Sequence, residues 1–76
     1  MKYPIFHKVI IEDNITKAVM LWKDNDREGT WSFTLGELKL RAGIANLLLE
    51  NEREYKKAIG AVMAVERPLK TNSKKE

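Results

Sequence analysis

Four residues in "FTLGELKL", Thr34 to Glu37, constrain the fold of this chain most. Thr34 and Glu37 have the T-x-x-E spacing of a capping box, in which each side chain bonds the backbone N–H of the other. Phe33 before the cap and Leu38 after it are placed as a hydrophobic staple. A helix is therefore predicted to begin at Leu35, and whatever precedes it must end at Phe33. In a chain of 76 residues, that point divides the molecule into two short halves. A chain this small buries only about 60% of its unfolded surface, so one domain of modest stability is expected.

The first half reads as strands. "YPIFHKVII", Tyr3 to Ile11, is rich in β-branched and aromatic residues, and Pro4 suits only a strand's start or a sheet edge. "TWSFT" alternates Trp31 and Phe33 with Ser32 and Thr34. Between them lies "ITKAVMLWKD", for which two readings stay open. As a strand it sets Ala18, Met20 and Trp22 on one face and Val19 and Leu21 on the other, as in a strand buried on both sides. As a helix it forms a stripe of Ile15, Ala18, Val19 and Trp22. The strand reading gives a hairpin joining Ala18–Lys23 to Thr30–Thr34 across a polar turn.

The second half reads as helices. Leu35, Leu38, Ala42 and Ala45 form the inner stripe of the first, which is predicted to end at Gly43 in a left-handed conformation. A longer helix is predicted from Asn46 to about Glu66, stopped by Pro68. Leu47, Leu48, Asn51, Tyr55, Ala58, Ile59, Val62 and Val65 make its inner face, and Glu50, Arg53, Glu54 and Lys57 lie opposite. The fold class is thus α+β, with two or three short antiparallel N-terminal strands packed against two C-terminal helices. A helix-turn-helix core with an N-terminal strand is the alternative. Residues 1–67 form one domain, and 68–76 a disordered basic tail.

Charge narrows the function. The formal net charge is +3, but Met1 to Glu66 carry ten basic and ten acidic residues, so the excess lies in "RPLKTNSKKE". Lys70, Lys74 and Lys75 there supply attraction to phosphates without sequence preference. The chain has no cysteine and one histidine, His7, so no thiolate chemistry and no ordinary zinc site are expected. Asp24, Asp26 and Glu28 lack the spacing of a calcium loop. Neither a nucleophile elbow nor a phosphate-binding glycine motif occurs. No catalytic residue, cofactor or metal is assigned. The longest fully apolar run, "AVMLW", is too short for a bilayer, and no secretory pattern opens the chain, so a cytoplasmic protein is expected.

Two binding readings remain. "FTLGELKLRAGI" resembles the strand, first helix and turn of helix-turn-helix and winged-helix DNA-binding domains. That resemblance implies a DNA-binding regulatory protein whose Asn46–Lys57 helix enters the major groove. Lys39, Arg41, Arg53, Lys56 and Lys57, with Lys70, Lys74 and Lys75 of the tail, would then be the nucleic-acid contacts. The helix meant to read bases opens "NLLLENERE", however, with leucines and glutamates rather than base-reading side chains. The second reading is a protein-binding inhibitor or adaptor, of the kind that accompanies mobile elements, or a homodimer. Leu40, Ile44 and Leu49 fall off the inner stripes and could form an apolar patch at the helix junction.

Overall fold

The computed structural model describes the backbone from Lys2 to Lys75 and side chains as far as Glu66. Three strands come first: β1 (Ile5–Glu12), β2 (Ile15–Asp24) and β3 (Arg27–Phe33). Two helices follow, α1 (Leu35–Ile44) and α2 (Glu52–Lys75). α2 does not stop at Pro68 as expected, since its backbone continues to Lys75; the side chains of the expected tail, 68–76, with Lys70, Lys74 and Lys75, lie outside the described residues.

The strands form one antiparallel meander in the order β1-β2-β3. Asp13 and Asn14 close the first hairpin with φ of 54° and 66°. Both central residues are left-handed, as in the turn whose twist matches that of paired strands. Asn25, with φ of 56°, opens the second turn. Asn and Asp tolerate this region because their short polar side chains can bond locally. Ile15–Asp24 is therefore a strand, held between two tight turns, and its helical reading fails. Its pairing puts Ala18 opposite Phe33, Met20 opposite Trp31 and Trp22 opposite Gly29.

The helices cover one face of this sheet. α2 lies over β1 and β2, α1 over β2 and β3, and the two helices pack on each other. Ala18, Met20, Leu38, Ala45, Tyr55, Ala58 and Val62 are fully buried between these layers, with Phe6, Val9, Phe33, Leu35, Ala42 and Ile59 packed around them. β2 is not covered on both sides as its pattern suggested. Its second face carries Ile15, 47% exposed, and among the residues with that parity only Val19 is buried. A bulge between Phe6 and Lys8 breaks the β1 ladder. It frees the Phe6 N–H to donate to Glu54 Oε1 at 2.9 Å, which ties the sheet edge to the start of α2.

The capping box forms as predicted. Thr34 N donates to Glu37 Oε1 at 2.8 Å, and Glu37 N donates to Thr34 Oγ1 at 3.4 Å. The far end of α1 departs from expectation. Gly43 has no positive φ and stays inside the helix. The chain continues as helical turns through Leu48, whose N–H bonds the Ile44 carbonyl at 3.1 Å. It then closes in a Schellman motif: Glu50 N donates to Ala45 O at 2.9 Å, and Leu49 N to Asn46 O at 3.3 Å. The left-handed residue is Leu49, with φ of 58°. The second helix consequently begins at Glu52 rather than Asn46, and Leu47 and Leu48 leave the predicted core, being 84% and 44% exposed. Apolar periodicity could not reveal this, because a leucine at the helix-ending position carries none of glycine's signal.

Candidate interaction surface

Five large aliphatic side chains stand in solvent within ten residues. Leu40 is 69% exposed and Leu49 80%, while Ile44, Leu47 and Leu48 join them at the α1–α2 junction. A scattered exposed leucine is ordinary, but together these present on the order of 500 Å² of aliphatic surface, a size at which patches on monomers are commonly functional. The sequence marked Leu40, Ile44 and Leu49, and all three are exposed. It missed Leu47 and Leu48.

Leu49 carries an added cost. Left-handed backbone strains any side chain with a Cβ by roughly 1–2 kcal/mol. Glycine or asparagine would relieve this strain, yet the position keeps an apolar side chain pointing largely into water.

Beside the leucines lies a groove of about 670 Å³. Tyr3, Trp22, Trp31, Leu48 and Leu49 give it apolar walls, and Lys23, Asp24 and Arg27 stand around it. The strand pairing makes the aromatic wall. Trp22 and Trp31 point to the helix-covered face but reach beyond the helices, stacked with centroids 6.1 Å apart. Trp22 lies flat over Gly29, where an added Cβ would come within 2.9 Å of the indole. From Trp31 the aromatic contacts continue to Phe33 at 5.7 Å and from Phe33 to Tyr55 at 6.2 Å, both edge to face. The sequence held one signal for this wall: Trp22 and Trp31 share a face of the hairpin on either side of Asn25.

An ion pair fixes the junction against this wall. Arg41 Nη2 donates to both Glu50 carboxylate oxygens, at 3.0 and 2.8 Å, and the Tyr55 hydroxyl donates to Glu50 Oε1 at 2.8 Å. The Arg41 guanidinium also sits 5.2 Å from the centre of the Trp31 ring and 5.7 Å from that of Phe33. Burial works against the Arg41 charge, but neighbouring Tyr55 and Glu50 outweigh it and raise its pKa. Burial, with the hydrogen bond to Glu50, pushes the Tyr55 hydroxyl up to about 12. Glu50, expected on an outer polar face, instead turns inward as the hub of this cluster. Asn51 completes the clamp, its N–H bonding Tyr3 O at 3.1 Å and its side-chain amide Lys2 O at 3.0 Å.

The structure divides the candidate nucleic-acid residues of the folded part between two helices, Lys39 and Arg41 on α1 and Arg53, Lys56 and Lys57 in the first turns of α2. Arg41 is engaged by Glu50, Lys56 pairs with Glu52 at 3.1 Å, and Lys57 pairs with Glu54 at 3.3 Å. Lys39 and Arg53 are exposed, on different helices, and neither is in an ion pair among the described residues. Seven residues, 45–51, separate α1 from α2, against the three or four of a helix-turn-helix. His7 is exposed on β1. Among the described residues no cluster of metal-ligating side chains occurs, and no helix is long and apolar enough to cross a membrane. No family model, curated protein or solved structure matches the chain.

Proposed function

We propose that this chain is a non-catalytic protein-binding module, an inhibitor or adaptor that grips its partner at the α1–α2 junction. One observation carries the reading: Leu40, Ile44, Leu47, Leu48 and Leu49 are exposed together on a segment braced from beneath by the Arg41–Glu50–Tyr55 cluster. A braced apolar edge binds with less ordering cost than a loose one. The adjoining Trp22–Trp31 groove offers a recess for an anchoring side chain. The DNA reading draws less support, since three of its folded-domain contacts, Arg41, Lys56 and Lys57, already face carboxylates.

The test compares the wild-type chain with a Leu47→Glu, Leu49→Glu double variant. Each is immobilised and exposed to soluble proteins from its source, and each is run against mixed DNA in a shift assay at two salt concentrations. The wild type should retain a discrete protein at both salt levels. The variant, native by circular dichroism, should not. If instead both bind DNA with affinity that falls steeply with salt, at a log–log slope of about 0.9 per phosphate contact, and no protein is retained, the proposal fails.

A further inference from the structure

We infer that the open edge of β3 takes up an extended segment of a partner protein as a fourth strand, with apolar side chains at alternate positions set against Trp22 and Trp31. The inference rests on the reading of this chain as a protein-binding module and gives the chemistry of what it binds.

An antiparallel meander has two edges, and this chain closes one of them. At the β1 edge Pro4 has no N–H to offer, and the bulge between Phe6 and Lys8 breaks the ladder. The Phe6 N–H is taken by Glu54, and the Tyr3 carbonyl by Asn51. β3 has none of these devices. Its residues, Arg27–Phe33, pair with β2 without a register shift and include neither proline nor lysine. Among the described residues β2 is its only neighbour in the sheet. Half of its N–H and C=O groups therefore point outward. Their complement is another extended backbone, because a helix has already satisfied its own main chain and a nucleic acid lacks this repeat of donors and acceptors.

The side chains above β3 give the segment its character. The Trp22 indole lies over Gly29, 2.9 Å from where a Cβ would stand, so it sits above the edge strand rather than its own. Trp31 projects from β3 itself and stacks on it at 6.1 Å. A fourth strand would run about 4.8 Å beyond β3, and every second side chain on it would meet the two indoles. Those positions call for apolar residues. The intervening ones face Glu28, Thr30 and Ser32, all exposed, and call for polar residues. The groove walled by Trp22, Trp31, Leu48 and Leu49 adjoins the same indoles, so one partner can engage the edge and the junction together.

The experiment selects binders from a displayed library of random peptides, about nine residues long, on the immobilised full chain. Trp22 and Trp31 are the chain's only tryptophans, so synthetic tryptophan-free versions of the selected peptides can be titrated by fluorescence. These peptides should alternate apolar and polar residues and shift the emission to the blue. N-methylation of alternate peptide bonds reads the use of main chain: one alternating set should weaken binding by about tenfold or more, and the other should leave it nearly unchanged. Alternate amides of 27–33 should exchange freely in the free chain and become protected when peptide is bound, while those of β1 stay as they were. The inference is overturned if no peptide is selected, if both N-methylated sets behave alike, or if the fluorescence responds to an oligothymidine and to no peptide. Protection of β3 by raised protein concentration alone overturns it too, since the occupant would then be a second copy. The Leu47→Glu, Leu49→Glu variant keeps the two readings apart. A partner protein lost on that substitution, with no peptide at the edge, leaves the junction reading standing, whereas peptides bound at the edge with no partner protein retained leave only the edge.

Discussion

Replacing Leu49 by glycine should make the protein more stable, although it removes an apolar side chain. Leu49 has φ of 58° and is 80% exposed. Relief of left-handed strain contributes roughly 1–2 kcal/mol. Against it, glycine adds freedom to the unfolded chain, costing about 0.5–1 kcal/mol. The fifth of the leucine side chain that is covered contributes about 0.4 kcal/mol, from roughly 2 kcal/mol for full burial. Taken at their midpoints these terms favour Leu49→Gly by about 0.35 kcal/mol, or about 1.5–3 °C in melting temperature for a domain of this size. Leu49→Val is the comparator. It gives up much of the same contact but puts a β-branched side chain where strain is greatest, so it should melt below wild type. Thermal unfolding followed by circular dichroism reads both. The reasoning is refuted if Leu49→Gly melts with or below Leu49→Val, because the backbone at this position would then be unstrained. A stabilised Leu49→Gly chain that binds its partner less well would show leucine kept at Leu49 for use rather than for folding.

Gly29→Ala should cost about 1 kcal/mol by forcing the Trp22 indole off the strand, where the new Cβ would stand 2.9 Å from it. Near-UV circular dichroism should report the disturbed Trp22–Trp31 stack, and an unchanged spectrum would refute the contact. Tyr55 sets an alkaline limit: its pKa, about 12 when folded against an ordinary 10.0, is raised, so its stabilising contribution is complete below pH 10 and is lost as pH climbs towards 12. Tyr55→Phe should be less stable than wild type at neutral pH by about 1 kcal/mol and should show a shallower loss across that window in urea unfolding; equal slopes would count against the assignment.

What the sequence revealed depended on how local each signal was. Thr34 and Glu37 act within one turn, so the start of α1 could be read directly, and the buried face of Tyr55, Ala58 and Val62 followed from helical spacing alone. Ile15–Asp24 was ambiguous because a short apolar run satisfies either period, and only the flanking turns at Asp13–Asn14 and Asn25 decide it. The junction misled for the opposite reason. Leu47 and Leu48 have the composition of a core, and only the left-handed Leu49 turns them out to solvent. Glu50 looked like surface charge because its partners, Arg41 and Tyr55, come from both helices, and no spacing within one helix discloses such a meeting. The Trp22–Trp31 groove depended in the same way on where the helices stop covering the sheet.

These departures from local pattern converge on the junction, and that convergence is itself an argument. A segment selected only to connect two helices would end α1 with glycine, bury its leucines and leave Glu50 in solvent. Here the strained residue, the exposed aliphatic edge and the inward carboxylate occur within 40–50. The carboxylate answers to the leucines: by holding Arg41 and Tyr55 it fixes the backbone on which Leu47, Leu48 and Leu49 are displayed. Bonds from Asn51 to Tyr3 and Lys2 fasten the same segment to the residues just before β1, beside the aromatic wall of the groove. Support beneath an apolar edge adds to the stability of the free chain and also lowers the entropy lost on binding. Local consistency gives way where function requires it, and in this chain it gives way at the surface proposed to bind.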